Sequence, residues 1–266
     1  MKDLYDLSLT SMALAFALLI IPLLIYYYLN IKGMTKKLII SATRMTVQLV
    51  LMGIYLKYLF QYNNSIINIL WLLVMIIAAT FSAVNNSNLN KKIFILPVLA
   101  AYSISIYITI LYFNFFVISV QNIFSAKYLI VIGGMLLGNS LRGVIISISS
   151  FYKEIINDKN RYYYRLALTG NFFDSTLPYF RKAIVLALSP NIATMATMGL
   201  VSIPGMMTGQ ILGGASPMVA VKYQIAIVIA IFVSTNISIV LAIFFTWRYT
   251  FNKNGIIVKK IINKKN

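Results

Sequence analysis

The sequence predicts an all-α, polytopic membrane protein of about seven transmembrane helices, with its N-terminus outside and its C-terminus inside. Three observations carry that prediction. Of 266 residues, 60% are hydrophobic and only 11% charged, too apolar for a soluble domain of this size. Apolar runs of about 20 residues, each long enough to cross roughly 30 Å of hydrocarbon, recur along the chain. Lysine and arginine concentrate in alternate connections between those runs, as the positive-inside rule requires.

The first expected span, 9–29, follows Asp3 and Asp6 and ends in Tyr26, Tyr27 and Tyr28, an interfacial aromatic belt. It is too long for the core of a cleaved signal peptide and lacks its basic start, so it is read as retained. Six further spans are expected at 38–60, 66–84, 93–117, 128–150, 183–207 and 218–247. Connections one-two, three-four and five-six and the C-terminal tail hold Lys32, Lys36, Lys37, Lys91, Lys92, Lys153, Lys159, Arg161, Arg165, Arg181, Lys182, Arg248, Lys253, Lys259, Lys260, Lys264 and Lys265. The opposite side holds Lys2, Lys57, Lys127 and Lys222, near span ends where a long side chain reaches the headgroups. The expectation is one permease domain over 1–266, with a cytoplasmic insert at 151–182 and a basic cytoplasmic tail at 248–266.

The composition excludes most chemistry. Cysteine and histidine are absent, which removes thiol catalysis, disulfides, the commonest general base and the commonest transition-metal ligand. The only acids are Asp3, Asp6, Glu154, Asp158 and Asp174, none of them in a span. The net charge of +18 is spread over the connections, where it suits anionic lipid rather than nucleic acid. Residues 133–140, GGMLLGNS, imitate a phosphate-binding loop, but Asn139 replaces its lysine and the segment is an apolar span. The chain is therefore expected to be no enzyme and to hydrolyse no ATP itself.

Residues 199–224, GLVSIPGMMTGQILGGASPMVAVKYQ, are built from what helices avoid. Pro204 and Pro217 interrupt helices, and Gly205, Gly209 and Gly213 recur every fourth residue, forming a flat packing face if helical. Gly214, Gln210 and Gln224 add flexibility and polarity. Two readings stand: a turn between spanning helices, or a broken helix lining a transport path, since irregular backbone at membrane depth survives only inside protein or beside water. Intramembrane charge usually faces a bundle interior or a water-filled path, while an arginine near the inner interface often snorkels to the headgroups instead. Arg44 and Gln48 lie one turn apart in span two, and Asn139 shares a face with Arg142 and Gly143 in span five. Asn191, Thr194, Met198 and Ser202, and likewise Gln224, Thr235 and Ser238, either line a path or join helices by hydrogen bonds. Met195, Met198, Met206 and Met207 offer either soft thioethers or adaptable packing, and no metal ligand set is assigned. The insert, with Tyr162, Tyr163 and Tyr164, is either an interfacial anchor or a docking site for a cytoplasmic partner.

The 199–224 run resembles the signature of the FetB-type permeases, membrane subunits of a small ABC transporter family implicated in bacterial iron export, with plant relatives linked to aluminium tolerance. Arg44, Gln48 and Asn139 also look like family positions, and the likeness extends over most of the chain. In the insert, Leu166, Ala167 and Leu168 match a Leu-Ala-Leu-Gly coupling pattern. Thr169 stands where glycine is usual, with Gly170 one place later, and Asp174-Ser175 stands for Glu-Ala. The resemblance implies two copies of this chain with two copies of a separate cytoplasmic ABC ATPase subunit, in the cell (plasma) membrane. ATP and Mg sit on that subunit and no cofactor sits on this chain. It implies coupling through Glu154, Leu166, Ala167, Leu168, Gly170 and Asp174, a path or gate at Arg44, Gln48, Asn139, Arg142 and the 204–224 segment, and iron or another metal as cargo. Hard ferric iron prefers carboxylates, which the spans lack, and two arginines favour an anion such as a nucleotide sugar, or a metal complex. A seven-helix sensor or receptor is the alternative of a different class.

Overall fold

In the computed structural model the apolar runs are helices, and the structure describes residues 7–252, 254–257 and 261. Lys2, Asp3, Asp6, Lys253, Lys259, Lys260, Lys264 and Lys265 lie outside the described residues. The order is α1 (Leu9–Ala17), α2 (Ile20–Tyr28), α3 (Met34–Tyr62), α4 (Ser65–Asn86), α5 (Lys91–Tyr112) running into a π-turn (Phe113–Val117), α6 (Ala126–Asn157), α7 (Lys159–Thr169), α8 (Phe172–Thr197), α9 (Gly205–Leu212) and α10 (Pro217–Thr250). Asparagine and serine start the long helices in the expected way. Asn64 Oδ1 accepts from the Ile66 amide at 2.9 Å, Asn171 Oδ1 from Phe173 at 2.9 Å, and Ser216 Oγ from Val219 at 3.4 Å, just before Pro217 at the first helical turn.

Six stretches of the described residues are long and apolar enough to cross a membrane: Leu9–Tyr28, Met34–Tyr62, Ser65–Asn86, Lys91–Val117, Ala126–Asn157 and Pro217–Thr250. Two expected spans are not single helices. The first is divided at Leu18–Leu19. Pro22 cannot donate to the Leu18 carbonyl and its ring crowds that group, so the turn tightens, with Leu19 N donating to Phe16 O at 3.0 Å. The sixth ends at Thr197 rather than continuing through 207. From Ala183 to Thr197 a helix rises only ~22 Å, short of the roughly 30 Å of hydrocarbon.

The core is built where α10 lies between α5 and α6, with α4 against α5 and α6, and α8 against α6. Close approach is set by glycine at two places. A Cβ on Gly143 would stand 2.7 Å from Thr235 Cγ2, and one on Gly133 would stand 2.7 Å from Leu72 Cδ1. The buried polar residues of α10 close hydrogen bonds between helices: Ser238 Oγ lies 2.6 Å from Ser105 Oγ, and Tyr152 OH donates to Thr246 Oγ1 at 2.8 Å. Such bonds in a membrane bundle contribute about 0.6 kcal/mol each. Thr235 and Ser238 thus join helices by hydrogen bonds, one of the two roles expected of them.

Helices α1 to α3 stand differently. Neither α1 nor α2 has a buried residue, and in α3 only Leu59 is buried. The far end of α3 is pinned where Leu59 meets Ala126 and Ile130, and where the Tyr55 and Trp71 rings lie 4.3 Å apart. The chain exposes 17100 Å², against about 12,000 Å² for a compact soluble chain of its mass. That excess is covered by lipid or by protein.

Candidate functional site

Two regions at opposite ends of the bundle combine unusual backbone with unusual exposure. The first is the break after α8. Met198 leaves the helix with extended backbone, and Gly199 has φ +91°, a left-handed value that glycine adopts without strain. Val201 N donates back to Thr197 O at 3.0 Å and Gly199 N to Ser202 O at 3.0 Å, so the linker is a closed turn. Leu200 (92% exposed) and Val201 (79%) point away from the chain. Pro204 then starts α9, which lies against α10. A Schellman stop ends α9: Ala215 N donates to Gln210 O at 2.9 Å and Gly214 N to Ile211 O at 3.0 Å, with Gly214 at φ +94°.

The glycine stripe is open on this chain. A Cβ at Gly205 or Gly209 would meet no atom within 4 Å, and one at Gly213 would meet only the carbonyls of its own short helix, Gly209 O at 3.1 Å first. The flat face expected from the spacing exists, but none of the described residues packs on it. The expected stripe Asn191, Thr194, Met198 and Ser202 is also divided, because the helix ends before Met198. Gln224 is buried in α10 and Gln210 partly buried in α9, and neither amide oxygen finds a partner among the described residues.

The arginines lie elsewhere. Arg44 and Gln48 are exposed on α3, and Asn139 and Arg142 on α6. Asn139 Nδ2 donates to the carbonyl of Met135 one turn back, at 2.8 Å. Gly143, expected on the same face, is instead buried against α10. Neither arginine has an acid beside it: among the described residues the ion pairs are Lys182–Glu154 at 2.8 Å and Arg161–Asp158 at 3.8 Å. No group of three or more His, Cys, Asp or Glu suited to a metal occurs among the described residues.

The second region is the insert. Its residues divide into a fastened side and a bare side. Tyr162 is fully buried and donates to the Gly255 carbonyl at 2.7 Å; burial pushes its phenol pKa up, so it stays a neutral donor. A Cβ on Gly255 would sit 3.0 Å from Leu166 Cδ2, and Asn90 N donates to Ile261 O at 2.9 Å. After α10, Gly255 thus lies against α7 and Ile261 against the α4–α5 connection, joining three parts of the chain. Sequence reading missed this strap, because its short, mixed-polarity segment carries no periodicity. Glu154 clasps α6 to α8 through Lys182 and belongs to this fastened side.

On the bare side, Tyr164 (66% exposed), Leu168 (68%) and Phe173 (50%) present apolar surface, with Ala167 and Asp174 exposed beside them. Gly170 closes α7 at φ +60°, its amide donating to Leu166 O at 3.0 Å. Thr169, at the position where glycine is usual, donates to Arg165 O at 2.9 Å and lies 3.0 Å from Ser175 Oγ. Asp174 stands in the first turn of α8, where the helix dipole favours an acid.

Comparison with known proteins agrees with this architecture. A protein of Escherichia coli described as "Probable iron export permease protein FetB" is 27% identical over 98% of this chain and 99% of its own length. "Protein ALUMINUM SENSITIVE 3" of Arabidopsis thaliana is 30% identical over 91% of this chain and 86% of its own. The "UPF0014 membrane protein YjkA" of Bacillus subtilis is 30% identical over 79% of this chain and 82% of its own. No solved structure matches the chain significantly. A profile of the uncharacterised protein family UPF0014 matches residues 9–251, and this chain is a multi-pass membrane protein belonging to that family.

Proposed function

We propose that this chain is the membrane-embedded permease of an ABC-type transporter, driven by a separate cytoplasmic ATPase subunit and exporting iron or another metal. The observation that carries the reading is the bare apolar face of α7 and the start of α8. Tyr164, Leu168 and Phe173 stand on an element fastened to the bundle by Tyr162, by the strap and by the Glu154–Lys182 pair. A rigid, exposed apolar knob at the end of a helix bundle suits a partner that must push on it. The name of the Escherichia coli relative supports iron as cargo.

In this reading the insert and the C-terminal end are cytoplasmic and the N-terminus is outside. The sixth crossing is made by the second half of α8, the 198–204 linker and α9, giving seven crossings. ATP and Mg bind the partner, and this chain works as a homodimer in the plasma membrane, without nucleic acid. The second copy is supported by energetics: an arginine facing lipid at mid-span costs about 2.5–3.5 kcal/mol, and this chain exposes two, Arg44 and Arg142, beside Gln48 and Asn139. Closure of the ATPases would move α7, and through it α6 and α8, and the linker at Gly199 would change which side the path faces.

One observation favours a second reading of the cargo. The two exposed arginines have no acid partner among the described residues, which suits an anion or an anionic metal complex beside them.

The test is co-expression with a P-loop ATPase encoded next to this gene. The tagged chain should retain the ATPase through purification, and liposomes holding both should move metal only with ATP. A chain that purifies alone, or flux that needs no ATP, would contradict the reading.

A further inference from the structure

The break after α8 encloses more than a hinge. The end of α8, the linker, α9 and α10 line a half-open cavity of about 620 Å³. Met195, Met198 and Met207 line it, one from the last turns of α8, one from its cap and one from α9. Gln224 lines it from α10 and is only 8% exposed, with an amide oxygen that finds no partner among the described residues. Eight buried side-chain polar atoms lack a partner among the described residues, and the Gln224 oxygen is the one whose residue lines this cavity.

The electrostatics of the lining point one way. α8 ends at Thr197, so its carbonyl end, the negative pole of the helix dipole, lies beside the cavity. No lysine or arginine lines it, and Arg44 and Arg142 belong to α3 and α6 instead. Thioether sulfur is a soft, neutral donor that selects soft cations and discriminates against hard ones such as ferric iron.

We propose that this cavity binds a soft d10 cation of the copper(I) class, held by the thioether sulfurs of Met195, Met198 and Met207 with the Gln224 amide oxygen as a further donor. Binding is a property of this chain alone. Its use as a cargo subsite, next to the Gly199 linker, rests on the permease reading.

The sequence makes the test unusually clean. The chain has no cysteine and no histidine, so every silver–sulfur bond it forms is to methionine. Silver(I), a redox-inert member of the copper(I) class, is titrated calorimetrically into the purified full chain and the complex is examined by silver-edge X-ray absorption. The expected result is saturable binding with a shell of about three sulfurs. The triple variant Met195→Leu/Met198→Leu/Met207→Leu, close to isosteric, should lose about tenfold or more in affinity. Gln224→Leu should weaken binding and keep the sulfur shell. Met45→Leu/Met52→Leu, on α3 and outside the cavity, should bind as the parent does. The proposal is overturned if the parent chain shows no saturable binding or no sulfur shell, if the triple variant binds like the parent, or if the α3 pair abolishes binding. Should the triple variant fail to fold, the parent spectrum and the single variant Met198→Leu decide the matter. Absence of silver binding leaves ATPase retention untouched, and absence of an ATPase partner leaves silver binding untouched, so the two readings fail separately.

Discussion

Leu168→Glu abolishes ATP-driven transport while leaving the chain folded and membrane-inserted. Leu168 is 68% exposed and lies outside the buried core of the described residues, so the substitution removes little core packing. In a docked complex its carboxylate would be pressed into the partner's apolar groove. An unpaired charge buried there costs on the order of 3–5 kcal/mol, which lowers affinity by more than about a hundredfold. Loss of ATPase retention in a pull-down, with an unchanged elution volume for the permease alone, is the expected pair of results. Leu168→Ala should do less, about 2 kcal/mol, because it removes surface without adding charge. Full transport by the glutamate variant would place the docking surface elsewhere.

Gly199→Val should separate docking from transport. The linker holds Gly199 at φ +91°, where a β-branched residue is a steric outlier. A Cβ there would meet no atom within 4 Å, so the cost is in the backbone and not in packing. Forcing an unsuitable residue into such a conformation costs of the order of 1–3 kcal/mol, enough to shift a two-state linker by ten- to a hundredfold. The expected variant keeps its ATPase subunit and hydrolyses ATP but moves cargo at least about tenfold more slowly. Normal flux would remove the linker from the mechanism.

Much of this architecture is legible in residue order alone, because membrane helices announce themselves by length and grease. The long helices α3, α4, α5, α6 and α10 fall where apolar runs predict them. The failures have local causes. Periodicity carries no record of Pro22 acting four residues upstream, so the division of the first span at Leu18 was invisible. The sixth span reads as one apolar run through Met207, yet the helix ends at Thr197, where Met198 turns extended ahead of the left-handed Gly199. Asn139 and Gly143 share a face on a helical wheel, but the wheel does not say that α10 covers only the Gly143 side. Thr235 and Ser238 read equally well as path or packing until Ser105 and Ser140 are seen opposite them. The strap over α7 depends on single contacts, Tyr162 to Gly255 and Asn90 to Ile261, that no short-range pattern encodes. For the same reason the placing of three methionines and Gln224, from separate elements, around one cavity needs the fold to be seen.

The account rests on α7 facing the compartment that holds ATP. The chain lacks cysteine, so Leu168→Cys gives a single reactive site without further engineering. Treatment of intact cells with a membrane-impermeant maleimide should leave that thiol unmodified, and inverted vesicles holding the permease without its ATPase subunit should label it fully. Labelling in intact cells would place α7 outside and contradict the coupling of this bundle to a cytoplasmic motor.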